Sequence, residues 1–346
     1  MNRLARAAGI LSLLLYLSSG PPAGATPVDL TVMTQNLYIG ANTDAVLASP
    51  NAMTLQAALD SIVANKFLVR AGAIATEAAN AGGPALIGLQ EAYIISAPTV
   101  GTLDYTQLLL DQLAARGLNY TVAGVHTGFS VATSLFSVTE SEVVLARTGV
   151  PDLTITGSES HTFVNNVTTA LGPLNRGYAL VDATLDGIPF QFVSTHLDSN
   201  KSVGEAQANE LLARFGMTAE PQLVVGDFNA LPTDATHAGM VAAGFIDVGG
   251  VVGAVGATCC QLPELDNLVS ALSGRIDYVF ERGFSSIDSA FLVGDTPFET
   301  VRPVWPSDHA GVVATVDLPE PSAGALFAAA VLLLGALRLR AHSRDH

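Results

Sequence analysis

From residue 28 onward, short apolar runs rich in β-forming residues keep ending on a side chain that can bind a metal or carry a proton. Residues 30–35 (LTVMTQ) lead into Asn36, residues 85–90 (ALIGLQ) into Glu91, residues 190–195 into His196 and residues 222–226 into Asp227. Such runs read as buried strands, and their ends are rigid positions beside the loops that line clefts. Helical patterns separate them, at residues 54–81, 105–116 and 203–215. Further strands are predicted at 120–123, 142–146, 178–185, 275–280 and 312–316, with 178–185 and 190–195 forming a hairpin around the turn dipeptide Asp186-Gly187. No linker rich in Pro, Ser or Gly and no internal period divides the run. The expectation is an α/β fold, a four-layer α-β-β-α sandwich of two mixed, mostly antiparallel sheets flanked by helices.

The two ends have a different character. Residues 1–25 begin with Arg3 and Arg6, continue through the apolar run 10–17 and close on Ala23-Gly24-Ala25, the pattern of a secretory signal. At the other end Pro319-Glu320-Pro321-Ser322 precedes the uncharged stretch 323–337, followed by Arg338, Arg340, His342 and Arg344. As a helix that stretch reaches roughly 22 Å, a marginal bilayer span, and the arginines beyond it would stay on the cytoplasmic side. The order of motif, apolar helix and arginine cluster resembles the bacterial PEP-CTERM sorting tail, with a permanent anchor as the rival. The expected division is therefore a signal peptide at 1–25, one domain at 26–318 and a sorting tail at 319–346 containing the short transmembrane segment 323–337. The resemblance implies an exported bacterial protein, secreted or associated with the cell envelope, whose tail meets the sorting machinery. A monomer is expected.

Charge narrows the partners. The whole chain carries a formal net charge of −16. Between Thr26 and Leu318 there are 29 Asp plus Glu against 10 Lys plus Arg, a net −19. A protein that grips duplex nucleic acid without sequence preference neutralises phosphates with a basic surface, which this composition lacks. Aromatic residues are also sparse, at 6%. The only two cysteines, Cys259 and Cys260, are adjacent, so no disulfide framework is expected and two thiols are the simpler reading. The glycine-rich stretch 248–257 reads as a connection or buried strand, with an exposed apolar loop as the rival.

The strand-end residues fall within motifs that occur in a known order: TQNLYIG (Asn36), LIGLQEAY (Glu91), STHLDS (His196), VVGDFNALPTD (Asp227, Asn229), GRIDYVF (Asp277) and WPSDHAGVVA (Asp308, His309). Over residues 29–317 this resembles the endonuclease/exonuclease/phosphatase superfamily, which includes pancreatic-type deoxyribonucleases, abasic-site endonucleases, bacterial sphingomyelinases and inositol-polyphosphate phosphatases. The chemistry suits the residue types. Hard divalent cations prefer oxygen ligands and offset charge that builds on a reacting phosphoryl group. The resemblance implies Mg²⁺ or Mn²⁺ held by Glu91, with Asp308 and Asn36 completing the metal shell. It implies that His309 donates to a phosphoryl oxygen and pairs with Asp277, which fixes its tautomer and favours its protonated form. His196 takes a second phosphate-facing position, Asp227 orients or deprotonates the attacking water, and Asn229 holds that nucleophile or the phosphate. Arg176 (RGYALV) is a candidate for bidentate phosphate binding or for surface pairing. Either Glu140 or Glu142 orients His196. His126, His161, His237 and Gln207 read as structural or exposed.

The implied function is hydrolysis of a phosphodiester or phosphomonoester by metal-activated water, on nucleic acid, a phospholipid headgroup or a small phosphorylated metabolite. The reading from another class is a non-catalytic cell-surface or matrix binding protein built on the same scaffold.

Overall fold

The computed structural model describes residues 28–216, 218–299 and 304–319. The expected signal peptide, sorting tail and transmembrane segment lie outside these residues. Among the described residues no helix is long and apolar enough to cross a membrane.

Two sheets hold the fold together. The first contains β1 (Val28–Asn36), β2 (Leu86–Gln90), β3 (Ile94–Ala97), β4 (Gly101–Asp104), β5 (Tyr120–Ala132) and β6 (Ser137–Arg147). The second is built from β7 (Thr154–Thr162), then, past the small ribbon of β8 (Thr168–Thr169) and β9 (Gly172–Pro173), β10 (Gly177–Leu185), β11 (Ile188–His196), β12 (Gln222–Asp227), β13 (Ile246–Asp247) and β14 (Asp277–Arg282). The chain then returns to the first sheet with β15 (Ser286–Val293) and β16 (Gly311–Leu318). The strand orders are β15-β16-β1-β2-β6-β3-β4, with β5 paired to β6, and β13-β14-β12-β11-β10-β7. Most pairs are antiparallel; β1–β2 and β11–β12 are parallel. This is the expected mixed α/β sandwich.

The helices are α1 (Asp44–Ala48), α2 (Ala52–Ala64), α3 (Phe67–Asn80), α4 (Tyr105–Ala114), α5 (Lys201–Phe215), α6 (Ala235–Ala242) and α7 (Val248–Val252). The single helix predicted at 54–81 is two, because Lys66 adopts a left-handed conformation (φ 45°) that ends one helical run and starts the next. Asn51 and Thr54 cap α2 reciprocally. The strand predicted at 120–123 runs on to Ala132, because it pairs along nearly the whole of β6. The stretch 248–257 is neither a buried strand nor a plain connection: Val248–Val252 form a short helix capped by Asp247. The hairpin at Asp186-Gly187 forms as read, with Leu185 opposite Ile188.

Register explains why the polar strand ends gather. In the second sheet His196 sits beside Asp227, and Asp227 beside Asp277, so three ends of adjacent strands form one row. In the first sheet Asn36 lies beside Gln90, one residue before Glu91. The sheets are pinned face to face under this row: Gln90 Nε2 donates to Ser194 Oγ at 3.0 Å, and Ser194 Oγ donates to the Leu89 carbonyl at 3.1 Å.

The glycine before Asp227 is required by the same packing. Gly226 has φ +146°, and a Cβ there would lie 1.9 Å from the Thr195 carbonyl oxygen of the parallel neighbour. Gly226→Ala is expected to cost about 2–3 kcal/mol by overpacking and backbone strain. A thermal melt several degrees below wild type checks it.

Candidate active site

Three residues at this end of the sandwich hold left-handed backbone conformations although none is glycine: Tyr38 (φ 56°), Glu91 (φ 54°) and Asn229 (φ 49°). Each follows a strand end by one or two residues. Such conformations cost on the order of 1–2 kcal/mol apiece and persist where the surroundings over-determine them. Here the surroundings are the site's own hydrogen bonds.

Asn36 is the link between the sheets. Its Nδ2 donates to Glu91 Oε1 at 3.3 Å and to Asp227 Oδ2 at 3.1 Å, while its Oδ1 accepts from the Tyr38 amide at 2.9 Å. That backbone donor fixes which end of the amide is oxygen. Asn36 thus presents a donor to both carboxylates, while its own oxygen is engaged by the Tyr38 amide. Glu91 Oε2 also accepts from the Ile39 amide at 3.0 Å. Burial pushes the Asp308 carboxyl up to about 7; Glu91 and Asp227 push the same way, against the opposing pull of His309 and Arg70. A divalent cation bound here would hold Asp308 ionised beside Glu91 and engage hard oxygen donors. The oxygen donors present fit a hard divalent cation.

Asp227 is the hub of the opposite wall. Its Oδ2 lies 3.4 Å from His196 Nε2 and 3.7 Å from His309 Nε2, and its Oδ1 accepts from the Asn229 amide at 2.8 Å. Asp227, Asp277 and His309 bring their ligand atoms within 4.8 Å of one another. His309 Nδ1 pairs with Asp277 Oδ2 at 2.9 Å. Burial disfavours the imidazolium, yet Asp277, then Asp308 and Asp227, outweigh it and hold His309 well above the ordinary histidine range. Asp277 is itself buried, with Oδ1 lacking any partner, so His309 is the counter-ion on which its charge depends.

His196 is placed by a second set. Glu140 Oε1 lies 3.4 Å from its Nδ1, and Arg176 Nη1 lies 2.8 Å from the same nitrogen. Asn229 Nδ2 sits 3.2 Å from Nε2 and donates to the Leu197 carbonyl at 2.9 Å. The choice between Glu140 and Glu142 is thereby made: Glu142 turns away to His126 Nδ1, 2.5 Å distant. Arg176 pairs with Glu140 and His196 through Nη1, the ion-pairing half of the sequence reading, while its buried Nε has no partner within the protein. Burial opposes the Glu140 carboxylate, but Arg176 and His196 bring it down to about 2. Burial and Arg176 disfavour a charged His196, while Asp227 and Glu140 raise it above the usual value.

The eight strand-end residues of the sequence reading therefore meet. Gln207 is structural, accepting from the Asp198 amide and donating to the Asn165 carbonyl. His237 pairs with Asp247, and His161 is exposed. Cys259 is buried and Cys260 exposed.

Sequence reasoning missed Arg70. Fully buried in α3, it donates Nη1 to the carbonyls of Leu37 (2.7 Å) and Pro306 (3.1 Å), Nη2 to Tyr38 (2.9 Å) and Nε to Asn65 (3.2 Å). It clamps the loop after Asn36 to the loop before Asp308. Ser307 does the same on a smaller scale, donating to the Asn36 carbonyl at 2.7 Å. A lone arginine on the apolar face shared with Phe67 and Ile74 was the available signal.

The Endonuclease/Exonuclease/phosphatase family matches residues 69–309, and the chain belongs to it. Its enzyme class is accordingly phosphoester hydrolase. No curated protein matches the chain. Solved structures agree on the fold. A family protein from Bacteroides thetaiotaomicron is 18% identical with a TM-score of 0.58, over 85% of this chain and 100% of that one. One from Beutenbergia cavernae is 21% identical, TM-score 0.58, over 84% and 72%. D. rerio TDP2, solved in complex with single strand DNA product, is 19% identical, TM-score 0.52, over 83% and 98%.

Proposed function

We propose that this chain is an exported hydrolase of a phosphodiester or phosphomonoester that uses Mg²⁺ or Mn²⁺ and water, without a covalent intermediate. The observation that carries the reading is Asp227, whose one oxygen faces both histidines while Asn36 ties it to Glu91 across the sheets. Glu91 and Asp308 would hold the cation, which supplies Lewis-acid polarisation of the phosphoryl group and charge neutralisation. Asp227 accepts the proton of the attacking water, and Asn229 holds Asp227 through its backbone amide. His309 donates from Nε2 to a phosphoryl oxygen, with Asp277 keeping the proton on Nδ1; such preorganised donors act strongly in a water-poor site. His196 donates from Nε2 to the phosphoryl group or the leaving oxygen, oriented by Arg176 and Glu140.

The signal-like residues 1–25 and the Pro-Glu-Pro-led tail support the export part of the reading, and fractionation of the native host is expected to find the protein in the medium or envelope. The full chain is expected to hydrolyse bis-p-nitrophenyl phosphate with Mg²⁺ or Mn²⁺, to stop with chelator and to recover on metal addition. His309→Ala should lower kcat by roughly 10²–10³-fold. Absent activity across a broad phosphoester panel, unchanged by His309→Ala, would return the protein to the scaffold reading.

A further inference from the structure

The candidate site opens sideways into a cavity of about 440 Å³ whose mouth carries Glu91, Asp308, Glu140 and Arg176. That volume lies within the roughly 300–1,000 Å³ of small-molecule sites. Val46, Leu47, Phe129, Val131, Phe136 and Leu171 give it apolar walls on one part, beside the polar Asn42, Thr43 and Gln261. The ridge it occupies is formed where α1, the long β5–β6 pair and the β8–β9 ribbon meet beside the first sheet.

Charge decides what can fill it. Among the lining residues the only basic side chain is Arg176, and Glu140 already neutralises it, while Asp44, Glu91, Glu140 and Asp308 are acidic. A second phosphate, as in a polynucleotide or a polyphosphorylated metabolite, would meet carboxylates with no cation to spare. An uncharged hydrocarbon group meets branched aliphatic and aromatic side chains and carries no charge into a lining of carboxylates. Because Glu91 and Asp308 belong to both the cation site and the mouth, a phosphoryl group at the cation places its own substituent at the entrance.

We propose that the cavity seats the alkyl chain of the substrate, which is therefore an amphiphilic phosphoester bearing a single phosphoryl group near an aliphatic chain. The inference rests on the phosphoesterase reading for the position of the phosphoryl group. It adds the substrate class: a lipid-like phosphoester and not a nucleic acid.

The test is calorimetric binding of n-alkylphosphonates, methyl through octyl, to the full chain with Mg²⁺ and below the micellar range. Turnover of bis-p-nitrophenyl phosphate is measured alongside as the separate check on the phosphoesterase reading. Affinity is expected to rise roughly fourfold per methylene over the first several carbons. Leu171→Gln, and the near-isosteric Val131→Thr should the first not fold, are expected to flatten that rise. A rise with turnover supports both readings. A rise without turnover keeps the chain pocket and removes the hydrolase. No dependence on chain length, with or without turnover, overturns the pocket, as does a rise left equally steep in the folded variants.

Discussion

Asp227→Asn is expected to lower kcat by about 10³-fold while leaving the melting temperature within a few degrees of wild type. The substitution is isosteric, and the acceptor facing the Asn229 amide survives. The other end of the side chain changes completely. There the Asp227 oxygen faces Asn36 Nδ2 at 3.1 Å, His196 Nε2 at 3.4 Å and His309 Nε2 at 3.7 Å. An amide nitrogen in that place opposes donor to donor and cannot take a proton from water. General-base loss alone is worth roughly 10²–10⁴-fold, and the disturbed histidines add to it. Single-turnover kinetics at saturating Mg²⁺, with circular dichroism and a thermal melt on the same sample, make the measurement. A folded variant within about tenfold of wild type would remove Asp227 from the chemistry.

Arg70→Ala is the second large effect, and it is one of stability. Four carbonyls, of Leu37, Tyr38, Asn65 and Pro306, lose their donor at once, those of Leu37, Tyr38 and Pro306 in buried surroundings. Each buried unsatisfied acceptor costs on the order of 1–3 kcal/mol, offset in part because a desolvated guanidinium is also removed. The expected net loss is about 3–5 kcal/mol, seen as a lower midpoint in denaturant titration. Arg70→Lys is expected to recover less than half of it, since one ammonium cannot span carbonyls on both sides of the clamp. Activity should fall together with stability, because the two loops that Arg70 ties together carry Asn36 on one side and Asp308 and His309 on the other. A variant as stable as wild type would show that those carbonyls find other partners and that the clamp is dispensable.

Much of the site was legible in one dimension because strand ends are local features. A short apolar run stopping at a carboxylate, amide or imidazole names its own functional candidate, as Glu91 and Asp227 do. The glycine of GDFN carried similar information, although its cause, the Thr195 carbonyl 1.9 Å from an added Cβ, lies in a neighbouring strand. Partner choice was not legible. Glu140 and Glu142 are two residues apart in β6, the same local signal; the β5–β6 register sets Glu142 opposite His126, while the packing of the second sheet against β6 brings His196 to Glu140. Arg176 stayed open between phosphate binding and ion pairing because its partners are 36 and 20 positions away.

What the order of residues determined by itself was the alternation of strand and helix, the polar strand ends and the acidic balance, since these follow from side-chain chemistry and periodicity within short windows. What the tertiary structure alone decided was the parallel register that sets His196 beside Asp227, the buried Arg70 that joins two loops distant in sequence, and the apolar cavity beside the carboxylates. Those depend on which surfaces are removed from water together, and that is a property of the packed sheets and not of any segment read alone.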